Sequence, residues 1–447
     1  MMDWNNLFSV KRLEEKYTDS ANQTRTTFEV DFDRVVFSSA FRRLQDKTQV
    51  IPLPESDFVH TRLTHSLETS CVGRSLAKEI GKTIIDRNGL ESVTVEDFGS
   101  VVATACLAHD IGNPPFGHSG ESAISNYFRK GAGKKFEKDI PPEKWSDLVN
   151  FEGNANGFRI LTNRHNILKG NIRLTYSTLA AFTKYPCASF KEGKQHQNRI
   201  HKKYGYFYAE TESFEEIFGE LKIVKNKDGI YSRHPLAYII EAADDICYRI
   251  IDFEDGIRIG LIPFEQGRDI LRSMLSNTYF KQSKFNNIKD IKEQIGYLRS
   301  KVITSLIEEV SEIFLDNEKD ILKGDFDKAL LEEIDKKRMK ILKEIEALSV
   351  RNIYNSKDVV MIEISGFSVV EKLMDLFINA VNSFRDLRDR IHKEDVLSDK
   401  LIEILPKQYL GNDGYPEKDL YLRILQICEF IAGMTDSYAI SLFRKLT

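Results

Sequence analysis

The sequence predicts an all-α protein, and three observations carry that reading. Apolar residues recur mostly at helical spacing, alternating strand-like patterns are scarce, and Pro and Gly fall mainly between the periodic segments. Apolar side chains three or four apart share one helix face, whereas a half-buried strand would place them at every second position. At 447 residues the chain is too long for one simple core, so one large domain or two are expected.

Taken in order, the periodicity places helices at about 32–46, 64–87, 96–111, 119–130, 151–163, 235–255, 263–277, 284–323, 326–348, 367–384 and 418–444. The third contains the apolar run VVATACLAH and ends before Gly112 and Pro114, neither of which continues a helix well. The fourth follows Pro114-Pro115, with Ser119 as its expected N-cap and Glu121 in its first turn. Residues 186–234 break the pattern: they are polar and aromatic, and read as an irregular insertion with a short hairpin turning at Lys227 to Gly229. The segment 284–350 is charge-rich and long-period, as bundle or oligomer-contact helices often are. GAGKK at 131–135 is a linker rather than a phosphate loop, because the GxxxxGK[ST] spacing and its hydroxyl are absent. The expected organisation is a core region, 1–280, carrying the insertion, then a helical region, 281–447, that completes the site and makes oligomer contacts.

Composition narrows the class. Hydrophobic residues make up 41% and charged residues 30%, with a formal net charge of −4, which argues against both a polybasic nucleic-acid coat and a disordered acidic tail. Any charge that binds an anion must therefore be local. Five scattered cysteines with no CxxC pair fit a reducing compartment and argue against both a disulfide framework and a thiolate zinc site. With no signal-peptide core at the start and no membrane-length apolar run, a cytoplasmic protein with no membrane partner is expected.

The chemistry gathers in CLAHDIGNPPFGHSGE, residues 106–121. His109 and Asp110 emerge where a helix must stop, so both side chains can reach one divalent ion, although a lone His-Asp pair is weak evidence. HTRLTHSLE adds His65 at a helix start, with Arg62 one turn earlier; EAADDICYRIID adds Asp244, with Tyr248 and Asp252 on the same helix face at i+4 and i+8. A carboxylate face on an apolar helix is costly to bury unless it is paired or metal-bound. Asp245 points about 100° from Asp244, as successive residues on a helix do, and a structural bond is expected for it.

His65, then His109-Asp110, then Asp244 resembles the H…HD…D signature of the HD phosphohydrolase superfamily. The longer blocks FRRLQDKTQV, HTRLTHSLE, HDIGNPPFGHSGE, FEGNANGFRIL, EAADDICY and IAGMTDSYA are similar to the deoxyguanosine triphosphate triphosphohydrolase (dGTPase-like) family from about residue 20 to 440. That resemblance implies an all-helical HD-domain fold and divalent-metal hydrolysis of deoxynucleoside triphosphates to deoxynucleoside and inorganic triphosphate. It implies His65, His109, Asp110 and Asp244 as ligands; their mixed N/O set suits Mn or Mg, with Fe, Ni and Zn as alternatives. It also implies a homo-oligomer, often a hexamer in this family, with deoxynucleoside triphosphates serving as effectors as well as substrates.

The remaining site residues follow. His118 is expected to protonate the 5′-oxygen with Glu121 orienting it, against the blander reading of a loop histidine beside a helix-dipole carboxylate. Arg62 is expected at the α-phosphate and Asn154 at a phosphate oxygen. Lys184, Tyr185 and Lys203 are candidates for the outer phosphates, although solvated lysines would look the same. Gln49 and Val50 align with family positions at the deoxyribose; Gln49 and Asp252 are expected to hold the 3′-hydroxyl, while Val50 and a tyrosine fill the place of a 2′-hydroxyl. A phosphodiesterase or (p)ppGpp hydrolase on the same core is an alternative, against which the KTQV, NPPFGH and GMTDSYA blocks weigh. A nucleic-acid-binding protein with a vestigial site, binding single-stranded DNA weakly, has only the basic run 191–203 in its favour.

Overall fold

The computed structural model describes residues 1–13, 24–50, 60–162, 172–190, 203–227, 229–383 and 396–447, and among these the chain forms α-helices and no sheet. In chain order the helices are α1 Trp4–Leu7, α2 Thr27–Phe37, α3 Ser39–Arg42, α4 Arg62–Asn88, α5 Val95–Ala108, α6 His118–Arg129, α7 Pro142–Val149, α8 Gly153–Thr162, α9 Tyr176–Phe182 and α10 Thr211–Glu220. They continue with α11 Pro235–Arg258, α12 Phe264–Ser273, α13 Gln282–Asn287, α14 Ile291–Asp316, α15 Glu318–Lys323, α16 Lys336–Ser349, α17 Lys357–Ser383, α18 Val396–Glu403, α19 Leu420–Ala432 and α20 Asp436–Leu446. None of the described helices is long and apolar enough to cross a membrane.

The helices that carry the site are defined by their ends. Thr61 and Thr64 form a reciprocal cap at the start of α4, and Gly89 closes it in the left-handed region at φ 59°. Thr94 and Asp97 do the same at the start of α5, whose second half is almost wholly buried. Each large aliphatic side chain sequestered there, such as Val101, Val102 or Leu107, contributes about 1.5–3 kcal/mol. Helix α11 is buried on nearly every face and packs against α4, α5 and α14.

Two hydrophobic clusters result. One joins α4, α5, α9, α11, α12, α14 and α16. The other joins α6 and α7 to α17, α19 and α20, and includes Phe116 and Phe207. Each takes residues from both sides of residue 280, so the C-terminal helices are built into both halves of the molecule.

Several elements differ from the sequence reading. The segment expected as one helix over 284–323 is three, because Asp290 caps a new start at α14 and the chain breaks again at Asn317. The expected helix 418–444 is two, divided at Gly433 to Thr435, where the Thr435 hydroxyl caps α20. Helix α17 begins ten residues before the expected 367, since outward-facing Val360, Met361 and Ile364 blur the single apolar stripe. Helices α1, α7, α9, α10 and α18, of 4 to 10 residues, were not expected. Within 186–234 the hairpin exists as one antiparallel bridge, Lys225 with Tyr231, turned by Gly229 at φ 77°; α10 was not expected, and residues 191–202 lie outside the described residues.

Candidate active site

His65 stands in the first turn of α4, His109 at the C-terminal cap of α5, and Asp244 in the middle of α11. The Nε2 atoms of His65 and His109 lie 3.2 and 3.6 Å from the same Asp244 oxygen, Oδ1. Donor atoms of these three residues all fall within 4.8 Å of one another. His109 Nδ1 donates to the Cys106 carbonyl at 2.6 Å, which fixes the ring with Nε2 turned toward Asp244. Asp110 sits alongside, with Oδ1 3.6 Å from His109 Nε2; Arg62 donates to its Oδ2 at 2.6 Å and Asn113 to its Oδ1. Burial opposes ionisation of Asp110, but Arg62 and then the two histidines hold its carboxyl down at about 2. Burial likewise opposes the charge on Asp244, which His109 and His65 nevertheless keep well below the usual carboxylate range. Convergent imidazole nitrogens beside ionised, desolvated carboxylates fit a divalent cation with N/O preference. The His65 Nδ1 atom, buried without a hydrogen-bond partner, leaves that ring held from its Nε2 side alone.

The loop after α5 is shaped by close packing. An added Cβ at Gly112 would lie 2.1 Å from the Gly157 nitrogen, so only glycine lets the loop rest on α8. Asn156 donates to the Gly112 carbonyl at 2.8 Å from the same helix. Past Pro114-Pro115, Phe116 and Gly117 both take positive φ, 62° and 58°. For phenylalanine that conformation costs about 1–3 kcal/mol and needs outside support. It comes from Asp436, which accepts the Phe116 N–H at 3.0 Å, and from Gly366 of α17, against which the ring packs.

That turn starts α6 at His118, one residue earlier than expected. The N-cap is therefore Gly117, and Ser119, expected there, instead donates to the Glu363 carbonyl at 2.7 Å. His118 Nδ1 meets Glu121 Oε2 at 2.9 Å, and Glu121 Oε1 accepts from the Gly153 N–H at 2.8 Å. Burial opposes the Glu121 charge, yet its bond to His118 holds the carboxyl below its ordinary value. The His118 side chain is 84% exposed while that of Glu121 is 13%, so a fixed carboxylate carries an open imidazole.

A cavity of about 520 Å³ joins these groups; its wall includes His65, His109, Asp110, Asp244 and His118, with Arg62, Asn154, Lys184, Tyr185 and Lys203. Lys203 and Asn154 both reach Glu152 Oε1, at 2.9 and 2.7 Å, and Lys184 lies 3.5 Å from Glu241. Burial disfavours the Lys184 charge, but Glu241 raises its pKa overall. Asp245 pairs with Arg249 at 3.3 Å.

Gln49, Val50 and Tyr248 form another part of the wall, and Gln49 Oε1 is buried there without a partner. Asp252 is not on the wall. It accepts from Tyr354 at 2.9 Å, and burial raises its pKa far above the usual range. Tyr354, stacked on Tyr248 with ring centroids 5.6 Å apart, occupies the wall instead. Sequence reading missed Tyr354 and the α17 residues Val359, Ile362 and Glu363, which stand in no motif; Asn113 and Phe116, also lining, sat inside the quoted HDIGNPPFGH block without being singled out.

Residues 62–147 match the HD domain family, a span running from Arg62 of α4 past the His118–Glu121 pair. Over its whole length the chain is 40% identical to a deoxyguanosinetriphosphate triphosphohydrolase-like protein of Synechocystis sp., covering 99% of that protein. A Pseudomonas aeruginosa protein of the same description is 36% identical over the same shares. A Salmonella paratyphi A protein described as a deoxyguanosinetriphosphate triphosphohydrolase is 32% identical across 94% of this chain and 93% of its own. The chain belongs to the deoxyguanosinetriphosphate triphosphohydrolase-like family and carries an HD domain.

Proposed function

We propose that the protein hydrolyses deoxynucleoside triphosphates, dGTP among them, at the bond between the 5′-oxygen and the α-phosphorus. The observation that supports this best is a single cavity bearing the His65, His109, Asp110 and Asp244 donor set, the His118–Glu121 pair and several cations. A divalent cation, Mn or Mg in the first instance, would supply Lewis acidity toward the α-phosphate and an acidified water when bound by those four residues.

The chain's own groups account for the rest. Arg62, already charged against Asp110, faces the α-phosphate, and Lys184, Lys203, Tyr185 and Asn154 receive the outer phosphates, where about four negative charges are to be neutralised. Phosphate oxygens compete with Glu152 and Glu241 for Lys203 and Lys184. Water oxygen bonds to the α-phosphorus, giving up a proton to solvent, as the bond to the 5′-oxygen breaks; the leaving oxygen takes a proton from His118, which regains it from solvent. With Nδ1 engaged by Glu121, Nε2 is the nitrogen that donates. Gln49 reads the sugar hydroxyl directly; Asp252 acts through Tyr354, and Val50 with Tyr248 or Tyr354 crowds the 2′ position.

Homo-oligomerisation and activation by a second deoxynucleotide belong to the same proposal. No observation favours the nucleic-acid reading, since residues 191–202 of its basic run lie outside the described residues. Incubating each of the four dNTPs with Mn or Mg, singly and in mixtures, tests the reading. Inorganic triphosphate as the first phosphorus product supports it; orthophosphate or pyrophosphate overturns the bond assignment.

A further inference from the structure

The GMTDSYA block, residues 433–439, takes no part in the chemistry described so far, yet Asp436 is only 2% exposed and reaches both sides of the site. Its Oδ2 accepts from the Thr48 N–H at 3.0 Å and the Thr48 hydroxyl at 2.6 Å. Its Oδ1 accepts from the Phe116 N–H at 3.0 Å. One oxygen therefore holds the segment bearing Gln49 and Val50, and the other holds the strained turn that aims His118. Beside it, buried Lys47 repeats the bridge: its ammonium donates to the Asn113 carbonyl and, at 2.7 Å, to the Ala432 carbonyl at the end of α19. The same segment is tied to the start of α4 by Arg62 N–H to Lys47 O at 3.1 Å and by the Thr48–Thr61 bridge.

We propose that Asp436 is a positioning residue that couples sugar recognition to proton donation. This rests on the function proposed above. Every partner of the carboxylate is a donor, and an ionised carboxylate is acceptor-only, so it can satisfy all three. An amide of the same size cannot, because its NH₂ must face a donor on one side. Loss of the Phe116 bond leaves a positive-φ aromatic without its main-chain anchor, and the turn before His118 relaxes. A shift of about 1 Å in such a group can cost on the order of 100-fold in rate. A 3′-hydroxyl bound at Gln49 tightens the 47–50 segment, and through Asp436 the Phe116 turn is tightened with it. A sugar without that hydroxyl leaves both loose.

The test compares wild type, Asp436→Asn, Thr48→Val and Thr48→Ser on dGTP and 2′,3′-dideoxy-GTP, with metal content, thermal unfolding and amide hydrogen exchange. Asp436→Asn should fold and hold metal as wild type does. Its kcat on dGTP should fall by about 10- to 100-fold with little change in KM. The kcat ratio of dGTP to the dideoxy substrate should collapse toward one, and amides at 113–118 should exchange faster. Thr48→Val, which removes only the hydroxyl bond, should shift the ratio in the same direction by less, and Thr48→Ser should restore it. Should Asp436→Asn fail to fold, the two Thr48 variants decide alone. An unchanged ratio in an active Thr48→Val and Asp436→Asn overturns the coupling while leaving the proposed function intact. A wild type that converts no nucleotide to triphosphate overturns both.

Discussion

Two histidine–carboxylate groups at one cavity are built in opposite ways. The His65, His109 and Asp244 group projects from three long helices that share one hydrophobic cluster, and its rings are enclosed. The His118–Glu121 pair sits at the start of α6, after a turn with two successive positive φ values, and its imidazole is open. The first is positioned by the packing of α4, α5 and α11 against one another. The second depends on α17 and α20, through Gly366 and Asp436, from the far end of the chain. Holding a cation calls for fixed, desolvated donors, whereas giving a proton calls for a group that meets substrate at the cavity's edge.

The largest way to break the contrast is to remove a donor. His109→Ala or Asp244→Ala should lose bound divalent metal and activity together, by on the order of 10³-fold or more, since several kcal/mol of charge stabilisation disappear. Elemental analysis alongside kinetics checks this; full metal occupancy in Asp244→Ala would hand the ligand role to Asp245. Next, His118→Ala should keep its metal and its dNTP affinity while turning over about 10² to 10⁴ more slowly. Metal loss in that variant would erase the distinction between the two groups.

A smaller effect is expected where the loop after α5 rests on α8. Gly112→Ala places a methyl against main-chain atoms, and overpacking of this kind costs about 1–3 kcal/mol. Its melting temperature should fall, read by calorimetry, with metal affinity lowered in step. A further effect is a pH slope at the joint between α4 and α11. There His60 lies 2.7 Å from Asp255 and 3.3 Å from Glu68. Burial opposes its charge, but hydrogen bonds to Asp255 and Glu68 raise it from 6.5 to about 10. The pKa is higher in the folded state, so this contribution is complete below pH 6.5 and is lost as pH rises toward 10. Urea midpoints of wild type should decline across that window more steeply than those of His60→Gln; parallel slopes would refute the assignment.

The contrast also explains what the sequence could disclose. The all-α class was legible because long buried helices such as α5 and α11 repeat their apolar pattern over several turns. His65, His109 and Asp244 could be grouped because their blocks resemble the HD signature; helical periodicity placed each on or at the end of a helix but does not join residues so far apart in sequence. Tyr354, Val359 and Glu363 could not, since they enter the wall from a single π-turn and the outward-blurred start of α17. Spacing on α11 put Asp252 on the face of Asp244, but only packing reveals that Tyr354 comes between Asp252 and the cavity. The Asp436 bridge joins residues more than three hundred positions apart, and no local pattern carries that information.

The most direct test of the account is the identity of the first phosphorus-containing product from dGTP in the presence of Mn or Mg, resolved by ³¹P spectroscopy before any secondary hydrolysis. The arrangement of Arg62, the four donors and His118 around one cavity predicts intact triphosphate beside deoxyguanosine. Pyrophosphate with dGMP, or orthophosphate with dGDP, would contradict it.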